Sequence, residues 1–409
     1  MEGPTKVSER STAVTDELPD LLYSDTERAL SDALASLLAD RGGLDQALAR
    51  IESAQTYDDK LWQAVAADLG CAGLLIGERD GGAGASYREA AAVAEVLGSF
   101  VAPVPFLGSA VVATAALLSV ASGAAASSGT PFTPAKAAAG LLKRMADGGV
   151  TTALAVPFAT ALGSAFPTSV RVAGPRPGDA ATGVARLRGM VTGVADALPA
   201  GVLLVPADGV PHALYLVDVA AEGVAKAPVT SLDMTRQLCD LSFDDAPATL
   251  IASGPAASAA LDAALGAGAG ILAAEQVGLA QRCLDMTVAY VSERRQFARP
   301  VGSFQGLKHR LAEEWVSVTQ ARAASRYAAA CLASGSPDTK VAVALAKAYC
   351  SEVAVNAAQE CVQMHGGIGF TWEHPAHLYL KRAKADSIGF GTPDAHRAAL
   401  ASLVNLPAS

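Results

Sequence analysis

The chain has 409 residues, a net charge of −9, and a composition that is 51% hydrophobic but only 5% aromatic. This length allows two or three structural units. The acidic balance, without a run of Lys and Arg along one face, argues against a nucleic-acid partner. The abundance of alanine favours closely packed helices over a sandwich or barrel.

The N-terminal 20 residues are polar and acidic, so residues 1–20 predict a disordered tail and no secretory signal peptide. The six cysteines show no CxxC pair and no repeated spacing. This pattern is typical of buried free thiols in a reducing compartment, and it predicts a cytoplasmic protein.

Residues 21–127 predict an N-terminal helical domain. The spacing of apolar residues predicts helices over 26–54 and 61–69, and a glycine-rich loop precedes another over 86–97. The stretch 96–135 carries no charged residue. Because prolines and glycines interrupt it and no basic flank follows, we favour a buried central helix over a membrane span.

Residues 128–252 predict a linker and a small middle β-domain. Proline and glycine recur here, and turn signals bound short runs of β-forming residues. The four runs are 169–173, 201–205, 213–217 and 239–243.

Residues 253–409 predict a C-terminal four-helix bundle. Helical periodicity returns at Ala256 and continues through a helix that carries Phe304 and Trp315. Two more helices are expected over 339–364 and from about 375 to 386, with short connections typical of an antiparallel bundle. The predicted fold class is therefore α+β, with a helical, a β and a second helical domain in that order.

Two runs at predicted helix ends carry groups that suit a phosphate ligand. Arg294 and Gln296 would place a guanidinium beside an amide at the end of the first bundle helix. Gly366 and Gly367, after Gln363, would permit positive φ and close contact between backbone and ligand. Taken alone, each run is better explained as a helix C-cap with surface polar residues.

Other signatures of chemistry are absent from the sequence. There is no GxSxG, HExxH or P-loop, and no GxGxxG follows a strand. The six histidines lack metal-ligand spacing, so we expect no metal site.

The order of the two runs resembles the acyl-CoA dehydrogenase family. The pattern is Arg294-x-Gln296-Phe297, Phe304-Gln305, Gln363-x-x-Gly366-Gly367 and Gly391-Thr392. The similarity extends from about residue 25 to 403 and is most specific in the last third.

This resemblance implies an enzyme that removes a proton alpha to an acyl thioester and passes the beta hydride to FAD. It also implies a homo- or heterotetramer that holds FAD across a subunit interface, an acyl-CoA substrate, and an electron-transfer flavoprotein as the usual acceptor. The positions that match FAD contacts are Arg294, Gln296, Phe297, Phe304, Gln305, Gln363, Gly366, Gly367 and Thr392.

The residue that should act as the base is missing. The family's usual base is a Glu directly before the Gly-Thr pair, where this chain has Phe390. The other known location falls near Gly268. Glu275 lies seven residues further, on nearly the same helix face but ~10 Å along the axis. It is a weak candidate for a substitute base, and an ion-pair role is favoured.

The middle domain departs from the family as well. The loop that packs on the flavin ring has become residues 155–164, and the strand that faces the ring is reduced to 188–193. The flavin-ring half of the site is therefore eroded while the adenine half is intact.

This asymmetry resembles the base-lacking subunits of bacterial heterotetrameric acyl-CoA dehydrogenases, some of which act on sterol side chains. Our hypothesis is a subunit that completes the FAD site of a base-containing partner. Two alternatives stay open: a complete homomeric dehydrogenase with a displaced base, and a non-redox scaffold of the same fold.

Overall fold

The computed structural model describes residues 19–41, 44–51, 53, 57–123, 134–174 and 184–406. Residues 1–18, most of the predicted tail, lie outside these ranges. In chain order the protein is helical, then β, then helical again. The predicted α+β class is confirmed.

The N-terminal unit consists of short helices around a buried apolar segment. The helix predicted over 26–54 is two helices, with Gly42 and Gly43 between them in the sequence, and glycine is a poor helix former. A capping box between Ser86 and Glu89 starts the helix Tyr87–Ser99. The helices are α1 (Asp25–Arg41), α2 (Leu44–Ile51), α3 (Asp59–Gln63), α4 (Tyr87–Ser99), α5 (Thr114–Gly123) and α6 (Pro134–Ala146).

The uncharged stretch 96–135 contains the π-helical segment Phe106–Ala113, which runs directly into α5. Among the described residues, three helical segments are long and apolar enough to cross a membrane: Phe106–Gly123, Pro255–Glu293 and Thr339–Phe370. Their most apolar windows are 72%, 72% and 67% buried inside the protein. The apolar faces of these helices are therefore largely covered by the protein itself.

The middle domain is a mixed sheet wrapped around its own apolar core. Its longest strand pairs with three others, so strands that are separate in the sequence meet in one sheet. The strands are β1 (Thr152–Leu154), β2 (Val170–Ala173), β3 (Ala185–Ala195), β4 (Val202–Ala207), β5 (Ala213–Asp218), β6 (Val224–Val229) and β7 (Leu238–Ser253). The four predicted runs correspond to β2, β4, β5 and the start of β7.

The C-terminal unit has five helices within residues 253–406, one more than predicted. They are α7 (Pro255–Glu293), α8 (Gln305–Ser334), α9 (Thr339–His365), α10 (Ala376–Ile388) and α11 (Pro393–Leu403). Helix α7 has 39 residues and packs against α4, α8 and α9. All six cysteines are free and buried, as the sequence indicated.

Glycine is required where α4 crosses α7. A Cβ on Gly278 would lie 1.7 Å from the carbonyl oxygen of Glu95, and one on Gly98 would lie 2.0 Å from that of Glu275. The two backbones therefore touch, and the N-terminal unit is packed directly on the central helix of the C-terminal unit.

Candidate functional site

The first predicted run forms the end of α7 and a tight hairpin. The Arg294 N–H donates to the carbonyl of Tyr290 and ends the helix. Strand β8 (Arg295–Gln296) then pairs with β9 (Arg299–Pro300). The two turn residues between them, Phe297 and Ala298, have φ of 51° and 62°. Two-residue hairpin turns with positive φ at both positions usually contain Asn or Gly. The backbone is therefore strained at Phe297 and Ala298.

The hairpin presents aromatic and cationic groups to solvent. Phe297 is 87% exposed. Its ring lies edge-on to Phe304 with centroids 6.1 Å apart, and the Arg299 guanidinium lies 3.9 Å from the Phe304 ring centroid. Arg294 is exposed, and no ion pair or side-chain hydrogen bond holds it within the described ranges.

The two amides of this run are also exposed. Gln296 Nε2 donates to the neighbouring carbonyl of Arg295 at 2.9 Å, and Gln305 Nε2 lies 3.4 Å from His309 Nε2. These are local contacts of surface side chains. Both amides can exchange them for a ligand at little cost.

The second predicted run forms the C-terminus of α9. Gly366 has φ of 63° and caps the helix, donating its N–H to the Gln363 carbonyl. A Cβ on Gly366 or on Gly367 would meet no atom within 4 Å. The backbone of this turn is therefore open to a ligand, and the side chain of Gln363 is exposed beside it.

A stack of three rings joins these two helix ends. The ring of Tyr290, in the last turn of α7, stacks on His365 with centroids 4.4 Å apart. His365 ends α9, and its ring lies 4.2 Å from that of His374. The structure thus brings the Arg294 run and the Gly366 turn to the same end of the bundle.

Thr392 lies elsewhere. Its hydroxyl accepts a hydrogen bond from the Ala395 N–H at 3.3 Å and caps α11. The preceding Gly391 carbonyl is 3.4 Å from Lys347 Nζ on α9. Lys347 precedes Gly366 by nineteen residues of one helix, or ~28 Å. Within a single chain, Thr392 is therefore far from the other eight residues that were predicted to contact FAD.

Phe390, beside Thr392, fills the interior. Its side chain is 5% exposed at a φ of 52°. Its ring packs edge-on against Phe158 at 5.4 Å, and its N–H donates to the Phe158 carbonyl at 2.7 Å. A Cβ on Gly268 would lie 2.8 Å from the Phe390 ring. We call these two aromatic side chains, Phe158 and Phe390, the aromatic plug.

Surface grooves lie outside the aromatic plug. Two of them, of about 390 and 320 Å³, share Leu162, Asp262 and Lys340 in their walls. Neither is lined by Phe158 or Phe390. An apolar ligand in these grooves would remain outside the filled interior.

A buried ion cluster lies behind the aromatic plug. Arg236 donates to both carboxylate oxygens of Glu275 at 2.7 Å, and Arg382 donates to one of them through Nε at 2.8 Å. Burial disfavours ionisation, but the two guanidinium charges outweigh it and lower the pKa of Glu275 to about 2. The members of the cluster are Asp196, Asp233, Arg236, Glu275, Arg382 and Asp386.

Asp386 behaves oppositely within the same cluster. Burial, and then the charge of Glu275, raise the pKa of Asp386 to about 7. Arg382 Nε lies 3.3 Å from Asp386 Oδ2, but that oxygen has no well-directed hydrogen-bond donor within the described part of the chain. Nearby, burial lowers the pKa of Lys347 to about 8. Its ammonium donates to Ser351 Oγ at 2.8 Å and to the Asp386 carbonyl at 3.0 Å.

Comparison with known proteins identifies the family. The sequence matches the acyl-CoA dehydrogenase N-terminal domain over residues 24–127 and the C-terminal domain over residues 258–404. The acyl-CoA dehydrogenase IpdE2 of Mycobacterium tuberculosis is 33% identical over 354 residues, 87% of this chain and 89% of that protein. The chain belongs to the acyl-CoA dehydrogenase family.

Solved acyl-CoA dehydrogenase structures share the whole fold. A variant of the Tcur3481–Tcur3483 steroid ACAD matches with a TM-score of 0.77 at 28% identity, over 93% of this chain and 98% of the matched chain. The ChsE4–ChsE5 complex from Mycobacterium tuberculosis matches with a TM-score of 0.80 at 24% identity, over 96% and 100%. At 24% identity, the similarity to the ChsE4–ChsE5 complex shows only that the fold is the same.

The structure corrects the suggestion that Glu275 replaces the missing acyl-CoA dehydrogenase base. Two guanidinium groups hold its carboxylate, and it is 4% exposed. A carboxylate with a pKa near 2 accepts protons poorly. Its contacts are those of an interdomain ion pair.

Sequence reasoning missed most of this cluster. Lys347, which lies beside the cluster, carried a signal, because a lysine stands between Ala346 and Ala348 in an otherwise apolar helical stretch. Arg236 carried none, because it follows a turn in the middle domain and meets Glu275 only through the tertiary fold.

Proposed function

We propose that this chain is the base-lacking subunit of a flavin-dependent acyl-CoA dehydrogenase. In this role it completes the FAD site of a base-containing partner subunit, and the assembly desaturates an acyl thioester between the alpha and beta carbons. The proposal combines the family assignment with the geometry of the two ends of the C-terminal unit.

The proposal is supported mainly by the difference between two ends of the C-terminal unit, one containing Arg294 and Gly366 and the other containing Phe390. At one end, Arg294, Gln296 and the Gly366 turn are exposed and engaged only in local contacts. At the other end, the aromatic plug occupies the space beside Gly268 and Thr392. A dinucleotide can be bound at the first end, whereas at the second end Phe390 fills the interior position beside Gly268 and the two nearby grooves lie outside it.

The residues at the open end fit the adenine and pyrophosphate half of FAD. The Arg294 guanidinium can bind phosphate oxygens in a fork, and the backbone of Gly366 and Gly367 allows close approach. Gln296, Gln305 and Gln363 can supply amides, and Phe297 and Phe304 can supply flat apolar surfaces. FAD held there would supply the hydride acceptor of the assembly.

The proposal assigns no proton transfer to this chain. Glu275 is neutralised by Arg236 and Arg382, and Asp386 is fully buried behind the aromatic plug. Glu275, the carboxylate that the displaced-base alternative depends on, is therefore not placed to take a proton from a substrate. In this proposal the partner supplies the base.

A steroid-derived acyl thioester is the substrate class to test first in the assembly. It is motivated by the 28% identical Tcur3481–Tcur3483 steroid ACAD. An electron-transfer flavoprotein as acceptor and a cytoplasmic location remain proposals based on the family resemblance and the composition.

The test is to purify the chain alone and together with a base-containing acyl-CoA dehydrogenase chain. We expect a colourless chain when it is alone, and a yellow complex with a flavin absorbance spectrum when the two are co-expressed. Bleaching of that spectrum by a steroid acyl-CoA would support the dehydrogenase assignment. Stoichiometric FAD in the isolated chain would instead favour a homomeric enzyme, and a colourless complex would favour the scaffold.

A further inference from the structure

Three aromatic rings hold the open end of the C-terminal unit together. Tyr290 belongs to α7, His365 is the last residue of α9, and His374 precedes α10. The His365 ring is in contact with both of the others, at centroid distances of 4.4 and 4.2 Å. It is only 3% exposed, although it directly precedes an exposed glycine turn.

The two histidine rings are also hydrogen-bonded to their own helices. His365 Nδ1 donates to the Cys361 carbonyl at 2.6 Å, one turn back along α9. His374 Nδ1 accepts the Ala376 N–H at 3.2 Å and so caps the first turn of α10. Tyr290 lies one turn before Arg294, and its carbonyl accepts the Arg294 N–H. The contacts among the three rings therefore fix the end of α7, the end of α9 and the start of α10 relative to one another.

The outer side of the glycine turn is open within the described part of the chain. A Cβ on Gly366 or Gly367 would meet no atom within 4 Å, so packing does not define the turn from that side. Glycine is also the most flexible residue. A phosphate site works only when its donors keep their spacing within about 0.5 Å.

We propose that His365 is a positioning residue for the dinucleotide. Its ring keeps the Gly366–Gly367 turn at a fixed distance from Arg294, so that backbone and guanidinium reach the same phosphates. This inference rests on the proposed function, because it concerns the same FAD site. It assigns His365 no contact with the cofactor.

The experiment measures the dissociation constant of FAD from the complex of this chain with its base-containing partner. His365→Ala removes the central ring, and we expect FAD to bind at least tenfold more weakly. His365→Phe keeps a ring between Tyr290 and His374, so its dissociation constant should return to within threefold of wild type. His365→Gln keeps a polar group without a ring, so it should not rescue binding.

His212→Ala is the matched control. Like His365, His212 packs against an aromatic ring, with its ring 4.2 Å from that of Phe166, but it is half-buried and lies in the middle domain. Its removal should change the FAD dissociation constant by less than twofold. Equal losses in His212→Ala and His365→Ala would show that general destabilisation causes the effect and would overturn the inference.

Two further outcomes separate this inference from the proposed function. A wild-type complex without FAD defeats the proposed function. A wild-type complex that binds FAD, with a folded His365→Ala complex that binds it equally well, defeats only the positioning role. If His365→Ala does not fold, Tyr290→Ala and His374→Ala each remove an outer ring. Unchanged FAD binding in both would also reject the inference.

Discussion

Two carboxylates in the buried cluster respond to the same surroundings in opposite ways. Glu275 faces two guanidinium groups, which lower its pKa and keep it ionised. Asp386 is buried near the charge of Glu275, so its pKa is raised and it takes up a proton more readily. The cluster holds four carboxylates and two guanidinium groups. Its charge balance therefore makes the stability of the protein depend on pH.

Asp386→Asn should reduce that dependence. The pKa of Asp386 is higher in the folded protein than its ordinary value of 3.8, so its contribution to stability is present below about pH 4 and lost as pH rises through about 7. Urea unfolding at pH 4.5 and pH 8 should show the variant gaining about 1–3 kcal/mol over wild type at the higher pH. Asp394→Asn is the control, because Asp394 is an exposed carboxylate. An equal gain in both variants would contradict the assignment.

Substitution of Phe390 tests whether its side chain fills the interior beside Phe158 and Gly268. Phe390→Ala should lower the free energy of unfolding by about 3–5 kcal/mol, because it leaves a cavity between Phe158 and Gly268. Phe370→Ala removes the same side chain from a 79% exposed position, and it should change stability by less than about 0.5 kcal/mol. A loss below about 1 kcal/mol for Phe390→Ala would mean that the aromatic plug is loosely packed.

At the level of elements, the hairpin after α7 stands out because its turn has no glycine. Ala298 has a φ of 62°, where an L-residue costs about 1 kcal/mol relative to glycine. Ala298→Gly should therefore raise the free energy of unfolding by about 0.5–1 kcal/mol. Ala399→Gly, at an exposed position inside α11, should lower it by a similar amount because glycine weakens a helix. The same sign for both variants in chemical denaturation would exclude strain at Ala298.

Helix periodicity predicted the long elements well. The third bundle helix was predicted over 339–364 and runs from Thr339 to His365. The strands were harder to predict, because β7 pairs with three strands, and pairings between distant segments leave no local trace in the sequence. Helix α11 was missed as well, although Thr392 and Pro393 form a helix start.

The candidate site was predictable only in part, for a related reason. Arg294 and Gly366 were found because each sits at a helix end with a recognisable local pattern. Their meeting depends on the ring stack of Tyr290, His365 and His374, whose members lie up to 84 positions apart in the printed sequence. The interior cluster likewise joins Arg236 to Glu275 and Asp386 through the tertiary fold alone.

On the scale of the whole molecule, the buried cluster connects all three structural units. Asp196 of the middle domain accepts the Gly108 N–H of the N-terminal unit at 2.9 Å. Arg236 of the middle domain binds Glu275 on α7. The chain is thus a continuous body, and the exposed groups that we propose bind a dinucleotide lie at one end of its C-terminal unit.

This arrangement predicts how much FAD an assembly can hold. Each copy of this chain offers the Arg294 end, and its Phe390 fills the interior position beside Gly268. A complex of this chain with a base-containing partner should therefore carry one FAD for each pair of unlike chains.

The decisive measurement is the FAD content and affinity of that complex with Arg294→Ala. We predict one FAD per pair of chains for wild type, and binding at least tenfold weaker in the variant, because a charged hydrogen bond to phosphate contributes about 1.5–3 kcal/mol. Arg397→Ala, which removes an exposed arginine of α11, should retain full FAD. A complex that keeps all of its FAD without Arg294, or an isolated chain that binds FAD stoichiometrically, would contradict the account.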